Sequence, residues 1–315
     1  MRAVLSCLGV LLASGTCCAA TITFTNSGGT GVWGSASNWD LGRAPVPGDD
    51  AVIPAGLSAT VQAAAAVHSV QAQGNVDIRA PFEINALSSF VGEVKISAGI
   101  TGAGDLHFWG AVEWGDGTFS NEGLAVGEPG SVWRVLPSGQ PTISGIIEIF
   151  GVMEIEGQTL RIARPQGLLR IPDVGVLRLV NGGSMLADNV DDESFVIAGA
   201  LEASGASTCE INAMFISTGR VSAACPLTIA PPPANLSQDL VLSGGVWQVS
   251  GEGSIAWSDQ RPVHVLAAGT SLVLSGASAS SSLYGSLRSI EGEMIVDAKD
   301  PAVVVRSGGS TRTSI

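Results

Sequence analysis

A short pattern of alternating apolar and polar residues, each time introduced by a glycine, returns along most of the chain. It reads Gly-Asn-Val-Asp-Ile from Gly74, Gly-Glu-Val-Lys-Ile from Gly92 and Gly-Val-Leu-Arg-Leu from Gly175. Apolar residues two positions apart, with a charge between them, are typical of a strand that buries one face. A glycine ahead of the strand allows the chain to turn a tight corner. The pattern therefore predicts many short strands, each entered through a corner.

The spacing of these glycines predicts how the strands are arranged. Eleven of them follow one another at intervals of 18 to 26 residues, and several intervals contain a second glycine-led strand. Two or three short strands within such an interval form one coil of a β-solenoid, and stacked coils bury a continuous column of aliphatic side chains. We predict an all-β fold, a single-stranded, right-handed parallel β-helix marked by Gly74, Gly92, Gly110, Gly130, Gly151, Gly175, Gly199, Gly219, Gly245, Gly269 and Gly292.

A β-sandwich is the alternative architecture, because it also consists of short strands at regular spacing. A sandwich of this length would contain more aromatic core residues and recurrent two-residue hairpin turns. The chain has one Tyr and eight Phe, and its Asp116-Gly117 and Asn181-Gly182 pairs are isolated. These observations favour the solenoid.

The first twenty residues have the composition of a secretory signal peptide. Arg2 precedes an apolar run, and small residues follow it up to Ala20, so we expect cleavage after Ala19 or Ala20. Acylation of Cys17 or Cys18 is an alternative that fits less well, because Thr16 is not the usual residue before a lipidated cysteine. The run is also shorter than the ~20 residues of a membrane anchor. We predict an exported protein, either secreted or on the cell surface.

The mature chain is predicted to be one domain with two distinct ends. Residues 21–56 form an N-terminal capping segment, residues 57–305 the β-solenoid and residues 306–315 a frayed tail. Three consecutive prolines within residues 230–237 cannot continue a central strand, so this stretch is predicted to be a loop that leaves the column. The glycine-led pattern resumes at Gly245, which indicates that the column continues beyond the loop.

The charge balance excludes two classes of partner. The chain has 15 Lys and Arg against 28 Asp and Glu, a net charge of −13, and its only lysines are Lys95 and Lys299. Nucleic acids and anionic membrane surfaces both attract basic patches. No later segment has the length of a membrane-spanning helix. We therefore expect neither nucleic-acid binding nor a membrane span in the mature chain.

Three of the five cysteines lie in the signal peptide, which leaves Cys209 and Cys225. In an oxidising compartment two such cysteines most simply pair, and closing the short loop between them would stabilise the fold by about 3 kcal/mol. A metal site or a reactive thiol is the alternative, but no Cys-x-x-Cys spacing or neighbouring histidine supports it. We predict a disulfide bond between Cys209 and Cys225.

Signatures of catalysis and of cofactor binding are missing from the sequence. His68, His107 and His264 are isolated, and no zinc, serine-hydrolase, P-loop or dinucleotide motif is present. An acidic cluster in residues 188–193 could hold Ca²⁺ through carboxylate oxygens, although a solvated loop is the simpler interpretation. We predict no cofactor and favour a protein without enzymatic activity. The candidates for metal binding are Asp188, Asp191, Asp192 and Glu193.

The later tryptophans have two interpretations. If they lie side by side on neighbouring coils, they form a surface on which sugar rings stack. For Trp114 and Trp247 the alternation instead favours packing in the core. The candidates for a sugar-binding surface are Trp109, Trp114, Trp133, Trp247 and Trp257.

Residues 31–56 contain two more tryptophans, several prolines and a pair of aspartates ahead of the apolar pair Val52-Ile53. An uncapped solenoid end exposes apolar core and an unpaired strand edge. We predict that this segment caps the column. In this hypothesis the tryptophans cover the open end, the prolines stiffen the approach and the aspartates turn the chain into the first strand; the residues are Trp33, Trp39, Pro45, Pro47, Asp49 and Asp50.

The same segment resembles the beginning of G8-type and autotransporter-passenger-like segments of secreted proteins. The resemblance is carried by Trp33, the Asn38-Trp39 pair, Pro45 with Pro47, Asp49-Asp50 and Val52-Ile53. It implies a β-helical, extracytoplasmic protein similar to those of bacterial surfaces. Such segments occur in adhesins, in structural passengers and in proteins that handle polysaccharides, and the resemblance assigns no catalytic residue to this chain.

Export, acidity, repeated strands and the lack of a catalytic set favour a structural or adhesive module, with a polysaccharide or a surface protein as its partner. The alternative is a polysaccharide-active enzyme, a lyase or glycoside hydrolase, on the same scaffold. That alternative requires carboxylates or arginines from successive coils to converge on one face. In a third hypothesis the chain is the signal-bearing part of a larger autotransporter-like protein.

Overall fold

The computed structural model describes residues 20–137, 139–163, 166–188, 194–257, 262–276, 280–281, 287–297 and 303–306. Within these ranges the chain forms 37 short β-strands and one turn of 3-10 helix, Ala36–Asn38. Almost all neighbouring strands pair in parallel, and a strand inside a sheet pairs with the strands one coil before and one coil after it. The predicted all-β parallel solenoid is confirmed.

Each coil contributes one strand to each of three long sheets in turn; strands are numbered along the chain. Sheet 1 contains β1 (Thr21–Thr23), β2 (Asp50–Ile53), β5 (Ser69–Ala72), β8 (Ser88–Phe90), β11 (Leu106–Phe108), β14 (Leu124–Gly127), β17 (Ile146–Ile149), β20 (Leu168–Ile171), β23 (Phe195–Ile197) and β26 (Phe215–Ser217).

Sheet 2 follows sheet 1 in every coil. It contains β3 (Ser58–Val61), β6 (Asn75–Ile78), β9 (Val94–Ile96), β12 (Ala111–Trp114), β15 (Val132–Val135), β18 (Val152–Glu156), β21 (Val176–Val180), β24 (Ala200–Ser204), β27 (Arg220–Ala223), β30 (Val246–Ser250), β33 (Ser271–Ser275), β36 (Glu293–Asp297) and β37 (Val303–Arg306). The last of these, β37, pairs with β36 in the antiparallel sense.

Sheet 3 completes each coil. It contains β4 (Ala65–Val67), β7 (Phe82–Ile84), β10 (Ile100–Gly102), β13 (Thr118–Asn121), β16 (Thr142–Ile143), β19 (Thr159–Ile162), β22 (Ser184–Ala187), β25 (Cys209–Asn212), β28 (Pro226–Ile229), β31 (Ser254–Trp257) and β34 (Ser280–Ser281). After the proline-containing loop, sheet 1 is replaced by a short sheet 4 of β29 (Val241–Leu242), β32 (Val265–Leu266) and β35 (Ser289–Ile290).

The corner before sheet 2 explains why the glycines recur. A Cβ added to Gly92 would fall on the carbonyl of Gly74, and one added to Gly110 would fall on the carbonyl of Gly92. Successive corners therefore stack so closely that a side chain has no room. Nine of the eleven predicted glycines occupy this corner, from Gly74 to Gly292.

The other two predicted glycines do not lie at this corner, where their coils have a different residue. Ser131 and Thr270 are buried there, and the glycines chosen from the sequence, Gly130 and Gly269, precede them with φ of +89° and +82°. The hydroxyl of Thr270 donates to the carbonyl of Leu242 at 3.1 Å, so its polar atom is satisfied inside the column. Gly130 and Gly269 are therefore required by the positive φ of the turn and not by close contact between successive coils.

The interior of the column is continuous and mostly aliphatic, with ring clusters at intervals. Phe90 stacks on Phe108 with ring centroids 4.9 Å apart, and Phe108 meets Trp133 edge-on at 4.9 Å. Offset and edge-on pairs of this kind add to the stabilisation from buried area. Trp114 and Trp247 are fully buried, in agreement with the alternation of their strands.

Candidate binding surface

Trp109 differs from the other six tryptophans because its side chain lies outside the column. It is 50% exposed, whereas the others are at most 3% exposed. It follows directly after β11, in which Leu106 and Phe108 are buried and His107 is partly exposed. One further step of the strand alternation places the indole on the outer face of sheet 1.

Neighbouring coils place further side chains at the same position as Trp109. The Trp109 amide donates to the carbonyl of Phe90 at 2.8 Å, and the Glu128 amide donates to the carbonyl of Phe108 at 2.9 Å. Val91, Trp109 and Glu128 therefore stand at equivalent positions of three consecutive coils, about 4.8 Å apart along the column. Val91 is itself 53% exposed, so the exposed indole has an apolar neighbour.

Hydrogen-bonding groups border this apolar surface. His107 Nδ1 lies 2.6 Å from a carboxylate oxygen of Glu128, and the Asp105 carboxylate accepts a hydrogen bond from the amide of Leu124 at 2.8 Å. An exposed aromatic ring beside polar groups that donate and accept suits a ligand with both apolar faces and hydroxyls. We call this surface the Trp109 face; it consists of Leu87, Val91, Asp105, His107, Trp109 and Glu128.

The four other tryptophans considered for a sugar-binding surface lie in the core. None is more than 2% exposed. Trp114 and Trp133 meet at 6.4 Å, and Trp247 and Trp257 meet edge-on at 5.6 Å. They stabilise the column by packing, and the interpretation of these four as a stacking surface is wrong.

Charged side chains form a second feature, a charge ladder along the outer face of sheet 2. Seven consecutive coils present residues of alternating sign at one register position. Lys95 Nζ lies 2.9 Å from Glu113, and Arg178 Nε lies 3.0 Å from Glu202. The pKa of Lys95 is raised because the Glu113 carboxylate accepts its hydrogen bond. The ladder consists of Asp77, Lys95, Glu113, Arg134, Glu154, Arg178 and Glu202.

The residues assigned to the N-terminal cap lie together at the start of the column. Trp33 and Trp39 are buried and meet edge-on at 4.8 Å, and the indole N–H of Trp39 donates to the carbonyl of Trp33 at 2.6 Å. Trp33 also contacts Phe82 at 5.0 Å, and Phe24 contacts Trp39 at the same distance. The strand β2, within the predicted capping segment, already pairs with β5 as part of the column.

The two aspartates of this segment have different partners. The Asp49 carboxylate is held by two bonds from the Arg43 guanidinium, at 2.5 and 2.9 Å, and accepts the Val46 amide at 2.8 Å. The hydrogen bond from Arg43 lowers the pKa of Asp49. Asp50 accepts the hydroxyl of Ser69 at 2.6 Å and lies 2.8 Å from His68 Nδ1, and these contacts lower its pKa.

The structure places the sulfur atoms of Cys209 and Cys225 3.6 Å apart inside the column, both as thiols. Cys209 begins β25 and Cys225 directly precedes β28, which pairs with β25 one coil later. Burial raises the pKa of Cys225 to about 12. The predicted disulfide bond is not formed here, but its two sulfurs are neighbours.

The candidate metal-binding residues are only partly within the described residues. Asp188 accepts a hydrogen bond from Arg161 Nε at 2.6 Å, which engages its carboxylate in an ion pair. Asp191, Asp192 and Glu193 lie outside the described residues. Among the residues that the structure describes, no three His, Cys, Asp or Glu side chains are grouped to hold a metal ion.

Comparison of the chain with protein-family models, with curated proteins and with solved structures finds no match. In the described part of the chain, no helix has the length and apolar character needed to cross a bilayer.

Sequence reasoning included Trp109 among its candidates but did not separate it from the buried tryptophans. The signal was present, because Leu106 and Phe108 are the apolar positions of their strand and Trp109 is out of phase with them. His107 and Glu128 were missed as a pair, since they are 21 residues apart and lie together only through the coil register.

Proposed function

We propose that this protein is an exported, extracytoplasmic β-solenoid that binds a polysaccharide through the Trp109 face and acts as an adhesive module. The observation that carries the proposal is the exposure of Trp109 beside the His107–Glu128 pair, while six buried tryptophans belong to the core. The indole offers an apolar face to a sugar ring, and the imidazole and carboxylates offer partners to its hydroxyls.

Export is part of this proposal and rests on the signal-peptide composition of the first residues. Residues 1–19 lie outside the described residues, and the carbonyl of Ala20 accepts the Asp50 amide at 2.9 Å. Cleavage after Ala19 keeps this bond in the mature chain. Sequencing the N-terminus of the exported protein tests export: a mature chain that begins at Ala20 or Thr21 supports it, and recovery of the chain with residues 1–19 retained contradicts it.

The adhesive function is tested by binding of the mature protein to a glycan array, followed by fluorescence titration with each polysaccharide that binds. Because Trp109 is the exposed tryptophan, ligand binding should protect the protein from acrylamide quenching. Trp109→Ala should weaken binding at least tenfold, and Trp109→Tyr should retain most of it. Val246→Ala, which shortens an exposed apolar side chain on sheet 2, is the matched control.

Two results would contradict the proposal. If no polysaccharide binds, the column has a purely structural role or its partner is a surface protein. If a polysaccharide binds equally well to Trp109→Ala, the ligand occupies another part of the surface.

A polysaccharide-active enzyme is the second candidate, and the charge ladder is the observation that favours it. Carboxylates and arginines of successive coils do converge on sheet 2, as such an enzyme requires. However, like charges are two coils apart, about 10 Å, at the upper limit for a pair of catalytic carboxylates, and each is separated from the next by a cation. Release of reducing ends or of unsaturated products, lost in Glu113→Gln, would establish this function.

A further inference from the structure

The N-terminal end of the column is covered unevenly. β1 pairs with β2 at the end of sheet 1. At the end of sheet 2, Val32 bridges to Thr60, with the Trp33 amide donating to the Thr60 carbonyl at 2.9 Å. Sheet 3 ends at β4, and no strand among the described residues pairs with its outer edge.

The backbone of β4 has hydrogen-bonding groups directed towards this open side. The Ala65 amide donates to the carbonyl of Pro81 at 3.0 Å, and the Val67 carbonyl accepts the Asn85 amide at 3.2 Å. In a parallel ladder successive residues bond to opposite sides, so the N–H and C=O of Ala66 face away from β7. No described residue is bonded to these two groups. Such an edge is a template for one more strand.

A groove of about 740 Å³ lies against this edge. It is lined by residues 62–66, which include the start of β4, and by two parts of the cap, residues 30 and 32–35 and residues 44–47. None of the lining residues carries a charge. Trp33 lines the groove while only 2% exposed, and its indole N–H has no partner among the described residues.

We propose that this groove binds an extended, uncharged peptide segment of another protein, which adds to β4 as the outermost strand of sheet 3. The unpaired N–H and C=O of Ala66 are the groups that a polypeptide backbone satisfies in strand addition. The alanines at positions 63–66 keep that backbone accessible. The uncharged lining disfavours charged side chains, because their desolvation would not be compensated there.

The shape of the groove favours a single strand over a second copy of the chain. The two cap segments line the groove together with residues 62–66, an arrangement that suits one extended segment better than the broad edge of a folded sheet. The edge available for pairing is the three-residue strand β4, Ala65–Val67, which spans about 10 Å at the rise of a strand.

Selection of phage-displayed random heptapeptides on the mature protein tests this proposal. We expect enrichment of uncharged, strand-forming peptides. Gly34→Phe should weaken their binding at least tenfold, because Gly34 lines the groove and a side chain there meets open space and not the fold. Gly48→Phe is the matched control, since Gly48 also has open space around it but does not line the groove, and binding should be unchanged.

Two further measurements distinguish strand addition from other binding in the groove. N-methylation of alternate amides in the selected peptide should abolish its binding, and hydrogen exchange within residues 62–67 should slow when the unmodified peptide is bound. Failure to enrich any peptide, or equal binding to Gly34→Phe, would overturn the proposal. So would a self-association of the protein that Gly34→Phe abolishes, because the occupant would then be a second copy.

Discussion

Trp39 is the residue on which the N-terminal ring cluster depends most directly. It contacts both Phe24 and Trp33, and its indole N–H is bonded to the Trp33 carbonyl. Large buried side chains of this kind contribute through transfer from water and through the cavity that their removal leaves.

We expect Trp39→Ala to lower the free energy of unfolding by about 3–5 kcal/mol, because it leaves a cavity beneath the first coil. Thermal unfolding followed by circular dichroism measures this change. Polysaccharide binding by the folded variant should be unaltered, in contrast to Trp109→Ala, which should keep its melting temperature. Unchanged stability combined with lost binding in Trp39→Ala would make this cluster a binding site and not a cap.

Cys209 and Cys225 give a prediction about reactivity. The thiolate is the reactive form of cysteine, and a pKa of about 12 leaves very little of it at Cys225 near neutral pH. Both sulfurs are also buried in the column. The reduced, folded protein should therefore resist a thiol reagent at pH 8 and react fully in denaturant. Protein recovered from an oxidising compartment should be 2 Da lighter than the reduced chain, about the mass of two hydrogen atoms, and more stable by about 3 kcal/mol. Full alkylation of that recovered protein after unfolding without a reductant would contradict the predicted disulfide.

Asp49 makes the cap sensitive to acid. Its pKa in the folded protein is below its ordinary value of 3.8, chiefly because Arg43 donates to the carboxylate. A lowered pKa means that the stabilisation is complete above the ordinary value and is lost as the pH falls through the folded one. We expect the melting temperature to fall below about pH 4. Asp49→Asn should have a lower melting temperature than the unmodified protein at pH 7, and its melting temperature should fall less on acidification. Parallel curves of melting temperature against pH for the two proteins would contradict this.

At the scale of the structural element, the corner before sheet 2 is the feature that tolerates substitution least. Each corner glycine lies against the backbone of the preceding coil, which cannot move without disturbing a ladder of hydrogen bonds. Flexible side chains can adapt to an added methyl group, whereas backbone packed on both sides cannot.

Gly110→Ala should therefore destabilise the protein by about 1–3 kcal/mol, because its Cβ would meet the carbonyls of Val91 and Gly92. Gly48→Ala is the control, with open space and no positive φ, and it should be neutral or stabilising by up to about 1 kcal/mol. Urea unfolding curves of the two variants give the comparison. Equal midpoints would show that the corner relaxes more easily than its geometry indicates.

The same corner marks how far sequence reasoning reaches. Where the corner requires glycine, the glycine itself marks where each coil enters sheet 2. The length of the coils could therefore be predicted from the spacing of the glycines. Ser131 and Thr270 occupy the corner position that glycine has in most other coils, and their side chains are buried. Nothing in the sequence distinguishes these two residues from serines and threonines at the surface. The pairing of His107 with Glu128 and the open edge at β4 depend on exact coil register and on which strands the cap supplies, and neither has a local sequence signal.

At the scale of the whole molecule, the column is a one-dimensional array in which each coil is stabilised by its two neighbours. Coils in the middle have neighbours on both sides, whereas the terminal coils depend on caps. We expect backbone amides of β14 to β21 to exchange most slowly with solvent, with exchange rising towards both ends. Hydrogen exchange measured by mass spectrometry tests this. Uniform exchange along the column would indicate that it unfolds as a single unit.

The charge ladder gives the column two different repeats. The buried side chains repeat with every coil: the 18-residue unit 93–110 pairs in the same register with the coil before it and the coil after it. For the outer face of sheet 2, one coil reverses the sign of the charge and only two coils restore it. Duplication of a single coil would place two like charges in adjacent positions, whereas duplication of a pair leaves the alternation intact. If this protein is lengthened during evolution or by design, we expect coils to be added in pairs, and each pair adds about 10 Å to the length of the column.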